Sequence, residues 1–467
     1  MLQCTNEKTI NKMTPSEKKE FYKELLSLAI PIGLQNLLIA LIGATDALML
    51  GRLTQDAIAA VSLANQIVFI MNLFIGAVVG GGGALIAQYW GKGDRTMVKN
   101  LFCMILKWAV GISFIFFALA MFIPDLLMRI YTPETALIEI GSSYLRAVGV
   151  SYLFSGITQC YYLKMKVEGK ASKSVIISVV TLITDVVLDT FLIYGLAGVP
   201  KLGANGSAYS TVVVEFIGLA WCIAESHRKD SIRPDWQGIN WSSPIITKDF
   251  MKLALPMLGS SLAWGLGISL HSLIMGHLGS DATAAASITS VVQETVTCVC
   301  KGISAGAGII IGKLLGNNLF DKAKIYGRKL CHISFWGGGI HMVLLCAIGP
   351  VLAYFFVLTE MARFYLIMML IFMAFYVFAY SINTVVVCGI FPAGGDAKYD
   401  ALSVFFASWC FSLPLALLGT FVFDWPVMVV YILMCSDEIV KLPWLYPRYR
   451  KYLWVNNLTR EENTDID

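Results

Sequence analysis

The chain is organised as long apolar runs separated by short polar segments. A bilayer core about 30 Å thick is crossed by about 20 predominantly apolar residues in a helix, and the sequence contains twelve such runs. This pattern predicts an all-α membrane protein with twelve transmembrane helices. The predicted spans cover residues 25–49, 58–87, 101–122, 138–163, 174–197, 204–225, 249–275, 283–312, 330–357, 361–389, 401–423 and 426–446.

The composition agrees with this prediction. Of the 467 residues, 57% are hydrophobic and 14% are charged, and the mean hydropathy is +0.70. Soluble globular proteins carry about a quarter charged residues, so the composition excludes that class. Residues 1–24 are polar and contain no short apolar stretch with a small-residue cleavage site, so we expect no removable signal peptide.

The distribution of positive charge predicts the orientation of the chain. Of the 35 Lys and Arg residues, 26 fall in the two termini and in the loops on the same side of the membrane as the termini, and Lys252 and Lys441 lie in the ends of spans next to that side. Positively charged loops face the cytoplasm, so we expect a multi-pass protein of the cytoplasmic (inner) membrane with both termini in the cytoplasm. The opposite face carries four basic residues, namely Arg52, Arg129, Lys201 and Arg363.

A long internal repeat divides the chain into halves. Residues 28–62 resemble residues 253–287 at a shift of 225 positions. Because each half has an even number of spans, the copies enter the membrane from the same side and are related by an axis along the membrane normal. We therefore predict two pseudo-symmetric six-helix lobes. The predicted segments are an N-terminal segment 1–24, an N-terminal lobe 25–225, a linker 226–248, a C-terminal lobe 249–446 and a tail 447–467.

Three aspartates inside predicted spans are the main candidates for chemistry. Asp46 lies deep in the first span, where the repeat has His271 in the second copy, and an aspartate at a helix centre costs about 3 kcal/mol. Asp185 and Asp189 are four residues apart in the fifth span, so they share a helix face on which two ionised carboxylates would repel each other. These acids indicate cation coupling, with a helix cap or a structural hydrogen bond as the alternative for the pair in the fifth span.

Several segments together give the chain a family resemblance. Their order and spacing in both halves resemble the multidrug and toxic compound extrusion (MATE) transporters over nearly the whole chain. This resemblance implies efflux of amphiphilic or cationic small molecules through alternating access, driven by H⁺ or Na⁺, with a single bacterial chain as the working unit. The segments are LAIP and LALP, GRLTQDAIAAVS, the Gly-rich second and eighth spans, KVEGK and AGGD, and the ending DEIVKLPWLYPRYRKYLW.

The resemblance also assigns roles to single residues. Asp46 and Asp189 match acidic positions of a family cation site, whereas Asp185 stands where these relatives have asparagine. A threonine of that site falls on Thr211, with Ser207 as the competing position. The third carboxylate favours proton coupling, but an oxygen-rich cluster also suits Na⁺, so the coupling ion stays open. We expect no other metal and no cofactor.

The C-terminal lobe offers weaker candidates. Trp264 and Ser381 stand near the positions where a second branch of the family has acidic residues, so we predict no cation site there. His271 could titrate near neutral pH or form an interhelical hydrogen bond. Glu294 and Lys301 lie seven residues apart in the eighth span and could form an ion pair.

The remaining predictions concern the substrate path. A polyspecific cavity needs aromatic and flexible apolar surface, for which Met257, Trp264, Tyr376 and Tyr380 are candidates. Glu215 in the sixth span is a further intramembrane acid that could titrate or pair, although the sequence names no partner for it.

Several functional classes are excluded or less favoured. The sequence lacks a GxxxxGK[ST] phosphate loop, zinc-ligand spacing and a nucleophile motif, so we predict neither an enzyme nor an ATP-driven pump, and no nucleic-acid partner. The expected partners are the lipid bilayer and small molecules. The alternative is a flippase for lipid-linked saccharide intermediates, which would need more basic residues in its cavity than Arg146 and Lys301.

Overall fold

The computed structural model describes residues 13–460 except 197, 199, 229–230 and 356–357. Parts of the predicted segments 1–24, 226–248 and 447–467 therefore lie outside the described residues. Within the described part of the chain the regular structure is helical and no strand occurs. The all-α prediction is confirmed.

The first half folds into six long helices that coincide with the first six predicted spans. A short helix, Pro124–Arg129, follows the third of them. The long helices are α1 (Pro15–Gly51), α2 (Gln55–Lys92), α3 (Arg95–Phe122), α4 (Thr135–Val167), α5 (Ala171–Tyr194) and α6 (Ala204–Ser226).

The second half has five more long helices, after a short helix, Trp236–Asn240, in the linker. They are α7 (Pro244–His277), α8 (Ser280–Gly316), α9 (Phe320–Phe355), α10 (Glu360–Ala393) and α11 (Ala397–Phe421). Both α10 and α11 contain a wider π-helical stretch, Val385–Ile390 and Phe405–Ser412. Such stretches are common at functional sites.

The last predicted span, residues 426–446, is not one continuous helix. It consists of α12 (Val427–Met434), a turn, and α13 (Asp437–Arg450). The segment DEIVKLP brings two acids, a lysine and a proline into what would be the second half of the span, so the apolar run ends early.

Ten of the described helices are long and apolar enough to cross a membrane. The helices outside this set that fall in predicted spans are α4, α12 and α13. Helix α4 is long enough, with 33 residues, but it carries polar side chains such as Ser142, Ser151 and Thr158, which are buried. A helix that is surrounded by other helices can carry polar groups that a lipid-facing helix cannot.

Local sequence signals explain where several helices begin and end. The Asp94 side chain accepts a hydrogen bond from the Met97 amide and caps α3. The Thr359 hydroxyl caps α10 in the same way, accepting from the Ala362 amide at 3.1 Å. Helix α5 ends at Gly195, whose φ of 73° is in the left-handed region that glycine occupies without strain.

The described residues pack into two compact units. The N unit contains residues 34–86 and 94–247, and the C unit contains residues 13–33, 87–93 and 248–460. The start of α1 and the end of α2 therefore pack with the second half of the chain. The predicted lobe boundaries, 25–225 and 249–446, stay a prediction.

Within the N unit, α4 packs against α3 and α6, and α5 packs against α6. Within the C unit, α10 packs against α8 and α9 around a core that includes Leu366, Met369 and Leu370. Gly302 of α8 lets this helix approach α1 closely, because a Cβ atom there would lie 2.4 Å from the Ala29 carbonyl oxygen.

Candidate functional site

Three carboxyl groups meet inside the N unit. One oxygen each of Asp46 from α1 and of Asp185 and Asp189 from α5 lie within 4.8 Å of one another. We call these three residues the N cluster. The sequence predicted all three as coupling residues, and the structure brings them together.

Helix geometry and two hydrogen bonds position the N cluster. The spacing of four residues places Asp185 and Asp189 on one face of α5. Helix α1 is fixed beside α5 by two contacts that bracket Asp46: Gln35 Nε2 donates to Ser178 Oγ at 3.0 Å, and the Tyr194 hydroxyl donates to the Met49 carbonyl oxygen at 3.0 Å. Asp46 is thereby held opposite the acidic face of α5.

The two acids of α5 are almost completely buried. Asp185 is 4% exposed and Asp189 is 1% exposed. Ser210 of α6 donates a hydrogen bond to Asp185 Oδ1 at 2.8 Å. Neither carboxylate oxygen of Asp189 has a hydrogen-bond partner in the described chain. Its polar neighbours are the Ser210 hydroxyl and the carboxyl groups of Asp46 and Asp185.

The N cluster contains negatively charged groups and no basic group. The charged groups that act on each of Asp46 and Asp189 are other acids of the cluster, and no described Lys, Arg or His pairs with any of the three. Buried charges are paired or neutralised, and no described basic side chain supplies positive charge to the buried Asp185 and Asp189 or to the partly buried Asp46. Carboxylate and hydroxyl oxygens suit hard cations such as Na⁺, and carboxyl groups also bind protons.

Helix α6 contributes a residue that the sequence analysis missed. The hydroxyl on the N cluster belongs to Ser210, whereas the Thr211 hydroxyl donates to the Ser207 carbonyl oxygen within its own helix at 3.0 Å. Ser207 is buried, at 1% exposed. The signal was available, because positions 207, 210 and 211 share one helix face by their spacing of three and four.

Two further polar residues lie near the N cluster. Tyr144 of α4 is buried beside all three acids, and its hydroxyl donates to Asn65 Oδ1 of α2 at 3.5 Å. Glu215 of α6, for which the sequence named no partner, lies against Ser155 of α4.

The ion pair suggested for α8 is not formed. Glu294 and Lys301 form no ion pair, although both are among the described residues. Seven residues correspond to a rise of about 10 Å along a helix, too far for these side chains to meet. His271 in α7 is half-buried and forms no hydrogen bond within the described part of the chain.

The predicted cavity residues lie on two helices of the C unit. Tyr376 and Tyr380 of α10 stack with ring centroids 5.9 Å apart and an interplanar angle of 18°. Met257 is partly buried in α7, and Trp264 of the same helix is 40% exposed. Their assignment to a substrate cavity stays a prediction.

The C unit contains a second polar cluster, which the sequence analysis did not anticipate. Asp400 of α11 and Asp437, Glu438 and Lys441 of α13 are each at most 9% exposed; we call these four residues the C cluster. Lys441 Nζ lies 2.5 Å from Glu438 Oε1 and 3.7 Å from Asp437 Oδ2. The same ammonium group acts electrostatically on Asp400.

Neutral donors complete the C cluster. Asn383 Nδ2 of α10 donates to Glu438 Oε2 at 2.7 Å, Ser408 Oγ donates to Asp437 Oδ2 at 3.1 Å, and Ser260 Oγ donates to Asp400 Oδ1 at 3.5 Å. The sequence signal is the spacing in DEIVK, which puts two acids three and four residues before a lysine. Each of its carboxyl groups has a hydrogen-bond donor from the protein.

Comparisons with known proteins agree with the fold. The MatE family model matches residues 31–191 and 256–418. The uncharacterised transporter YisQ of Bacillus subtilis is 23% identical over 438 residues, which cover 92% of this chain and 94% of that protein. The probable multidrug resistance protein NorM of Thermotoga maritima is 24% identical over 325 residues, or 68% of each chain.

Solved structures give the same result. A crystal structure of the Vibrio cholerae MATE transporter VcmN has a TM-score of 0.86 to this chain at 16% identity, covering 94% of this chain and 98% of that one. A transporter of the MOP superfamily from Pyrococcus furiosus has a TM-score of 0.82 at 17% identity, covering 92% and 96%. These likenesses show a common two-lobe helical fold.

Proposed function

This chain belongs to the MatE family of multidrug and toxic compound extrusion transporters, and on that premise we propose that it exports amphiphilic or cationic small molecules by antiport with H⁺ or Na⁺. The premise makes the chain a multi-pass membrane transporter rather than an enzyme. Several relatives are named as multidrug resistance proteins, among them NorM and MdtK. Those names support a broad range of small-molecule substrates here.

One observation supports the coupling: three carboxyl groups from α1 and α5 gather with a single hydroxyl donor and no basic partner among the described residues. A membrane aspartate without a partner is costly, and a bound cation removes that cost. When the cation binds and leaves, the charge between α1 and α5 changes. If the two conformations of the transporter bind the cation with different affinities, this change in charge couples alternating access to the ion gradient.

In this proposal Asp46 and Asp189 take up the coupling cation, Asp185 completes the negative charge, and Ser210 orients Asp185. Met257, Trp264, Tyr376 and Tyr380 contribute aromatic and flexible apolar surface to the substrate path. We further propose that one chain is the working unit in the cytoplasmic membrane of a bacterium, with both termini in the cytoplasm, and that no cofactor is needed beyond the coupling ion.

The test is transport of ethidium, a fluorescent cation, into inverted membrane vesicles under a proton gradient or a sodium gradient imposed separately. We expect wild type to accumulate the dye under at least one gradient and Asp46→Asn to lose that activity. Asp56→Asn, an exposed carboxylate at the start of α2, is the matched control and should behave as wild type. No transport of ethidium or other cationic dyes under either gradient would overturn the proposal and favour the lipid-linked saccharide flippase.

A further inference from the structure

The N cluster contains more negative charge than one monovalent cation can balance. Asp185 and Asp189 lie one turn apart on α5, and Asp46 of α1 lies opposite them, so the cluster has three ionisable carboxyl groups. Their number raises the question of how many cations the site holds when it is loaded.

Asp189 is the part of the cluster that points most directly to a ligand. It is 1% exposed, and neither of its oxygens accepts a hydrogen bond in the described chain. The nearby Ser210 hydroxyl donates to Asp185 instead. The Asp189 carboxyl group faces that of Asp46. Two facing carboxyl groups cannot satisfy each other unless a proton or a metal cation lies between them.

Asp185 has a different environment within the same cluster. Its Oδ1 accepts the Ser210 hydroxyl at 2.8 Å, and the same hydroxyl lies 3.3 Å from the Asp185 carbonyl oxygen. Of the three acids, Asp185 can therefore remain ionised with the smallest loss of hydrogen bonding. The remaining two acids depend on bound cations.

The surroundings supply no compensating charge. Tyr144 of α4 and Glu215 of α6 face the cluster, and the Tyr194 hydroxyl of α5 is bonded to the Met49 carbonyl oxygen. None of these groups is basic. One bound monovalent cation would leave two uncompensated negative charges in a site where Asp185 and Asp189 are buried, which is strongly unfavourable. Two bound cations would leave one charge, on the hydrogen-bonded Asp185.

We propose that the N cluster takes up two monovalent cations in each transport cycle, and that Asp185 is the residue that sets this number. The cations are protons or sodium ions, which the same oxygen ligands can bind. The proposal rests on the antiport function given above, and it makes Asp185 a residue that determines the coupling ratio.

The experiment measures the steady-state accumulation of ethidium in proteoliposomes with the membrane potential clamped at zero by potassium and valinomycin. One arm applies a proton gradient without sodium, and the other applies a sodium gradient at equal pH. Each coupled cation contributes about tenfold accumulation for each tenfold gradient of that ion. Wild type should therefore show about a hundredfold accumulation per tenfold gradient of the coupling ion, and Asp185→Asn about tenfold.

Asp400→Asn is the matched control, since it changes an equally buried carboxyl group in the C cluster and should keep the wild-type slope. A wild-type slope of one decade per decade would overturn the proposal, as would equal slopes in wild type and Asp185→Asn. The wild-type slope decides the question even if the variant does not fold. A failure of antiport itself would look different, because wild type would then show no accumulation in either arm.

Discussion

The N cluster and the C cluster each gather three carboxyl groups from neighbouring helices, all of them buried except the partly buried Asp46, but only the C cluster contains a lysine. In the C cluster, Lys441 lies 2.5 Å from Glu438 and 3.7 Å from Asp437. In the N cluster, the hydrogen-bond donor is a single serine, Ser210. The same kind of side chain is thus buried in two electrostatic settings.

From this difference we infer a structural role for the C cluster, in addition to the transport role proposed for the N cluster. Lys441 supplies the C cluster with a counter-charge from the protein, and hydrogen bonds from Asn383 and Ser408 link α13 to α10 and α11. The N cluster has no such counter-charge among the described residues, which is what the proposed exchange of cations with the solution needs.

The largest expected effect is the loss of stability when Lys441, the lysine that distinguishes the C cluster from the N cluster, is replaced. Lys441→Met leaves the acids of α13 buried without their charged partner, and breaking a buried pair from one side costs about 3–5 kcal/mol. We expect a clear fall in the unfolding temperature of the detergent-solubilised protein. The double variant Glu438→Gln with Lys441→Met should recover part of the lost stability. An unchanged unfolding temperature in the single variant would show that Lys441 does not stabilise the C cluster as a counter-charge.

The next effect concerns transport rather than folding. Asp46→Asn and Asp189→Asn each remove a carboxyl group that the proposed cation needs, so gradient-driven ethidium efflux should fall at least about tenfold, equivalent to about 1.4 kcal/mol. Their unfolding temperatures should not fall below that of wild type, because each substitution also removes like-charge repulsion within the cluster. Full efflux activity in either variant would show that the N cluster is not the coupling site.

For Asp185→Asn we expect a smaller effect, a gain in stability where Lys441→Met causes a loss. The amide oxygen can still accept the Ser210 hydrogen bond, while the repulsion from two neighbouring carboxylates disappears. Two like charges near 4 Å repel by about 1 kcal/mol even when well screened, so the variant should be more stable than wild type by roughly that amount. Thermal unfolding measures this, and a loss of stability would indicate that Asp185 has a positive partner.

The smallest effect belongs to an acid outside both clusters. In the linker, Asp235 accepts hydrogen bonds from Lys99 Nζ at 2.6 Å and from the Gly238 amide at 2.7 Å. These bonds lower the pKa of Asp235 below its ordinary value. Because the pKa is lowered, the hydrogen bonds from Lys99 and Gly238 to the ionised Asp235 are present at neutral pH. They are lost as the pH falls through the pKa of Asp235 in the folded protein.

The protection factor of the Gly238 amide, which corrects the exchange rate for the intrinsic pH dependence of amide exchange, should therefore fall in acid, and it should fall in Asp235→Asn at neutral pH, with transport unchanged. A protection factor that changes neither with pH nor with this substitution would indicate that the contact is not formed in solution.

The sequence was sufficient for the helices and for the acids of the N cluster. Long apolar runs define the spans because the bilayer requires internally hydrogen-bonded helices, and a membrane aspartate such as Asp46 stands out against them. The split of the last span into α12 and α13 was missed, because an apolar average hides the two acids and the lysine at its end.

The contacts between helices could not be predicted from the sequence. Ser210 differs from Ser207 and Thr211 only in the direction in which it points, which depends on how α6 packs against α5. The C cluster is assembled from α7, α10, α11 and α13, and its members are far apart in the chain. The ion pair between Glu294 and Lys301 was suggested by their common helix face, but a common face does not bring side chains two turns apart into contact.

The most direct test of the account is the release of cations when ethidium is added to the detergent-solubilised protein in weakly buffered solution. A pH indicator follows protons in sodium-free medium, and radioactive sodium follows Na⁺ at constant pH. We expect release from wild type and from Asp400→Asn, and none from Asp46→Asn or Asp189→Asn. Release that persists in Asp46→Asn, or that is lost in Asp400→Asn, would contradict the assignment of coupling to the N cluster.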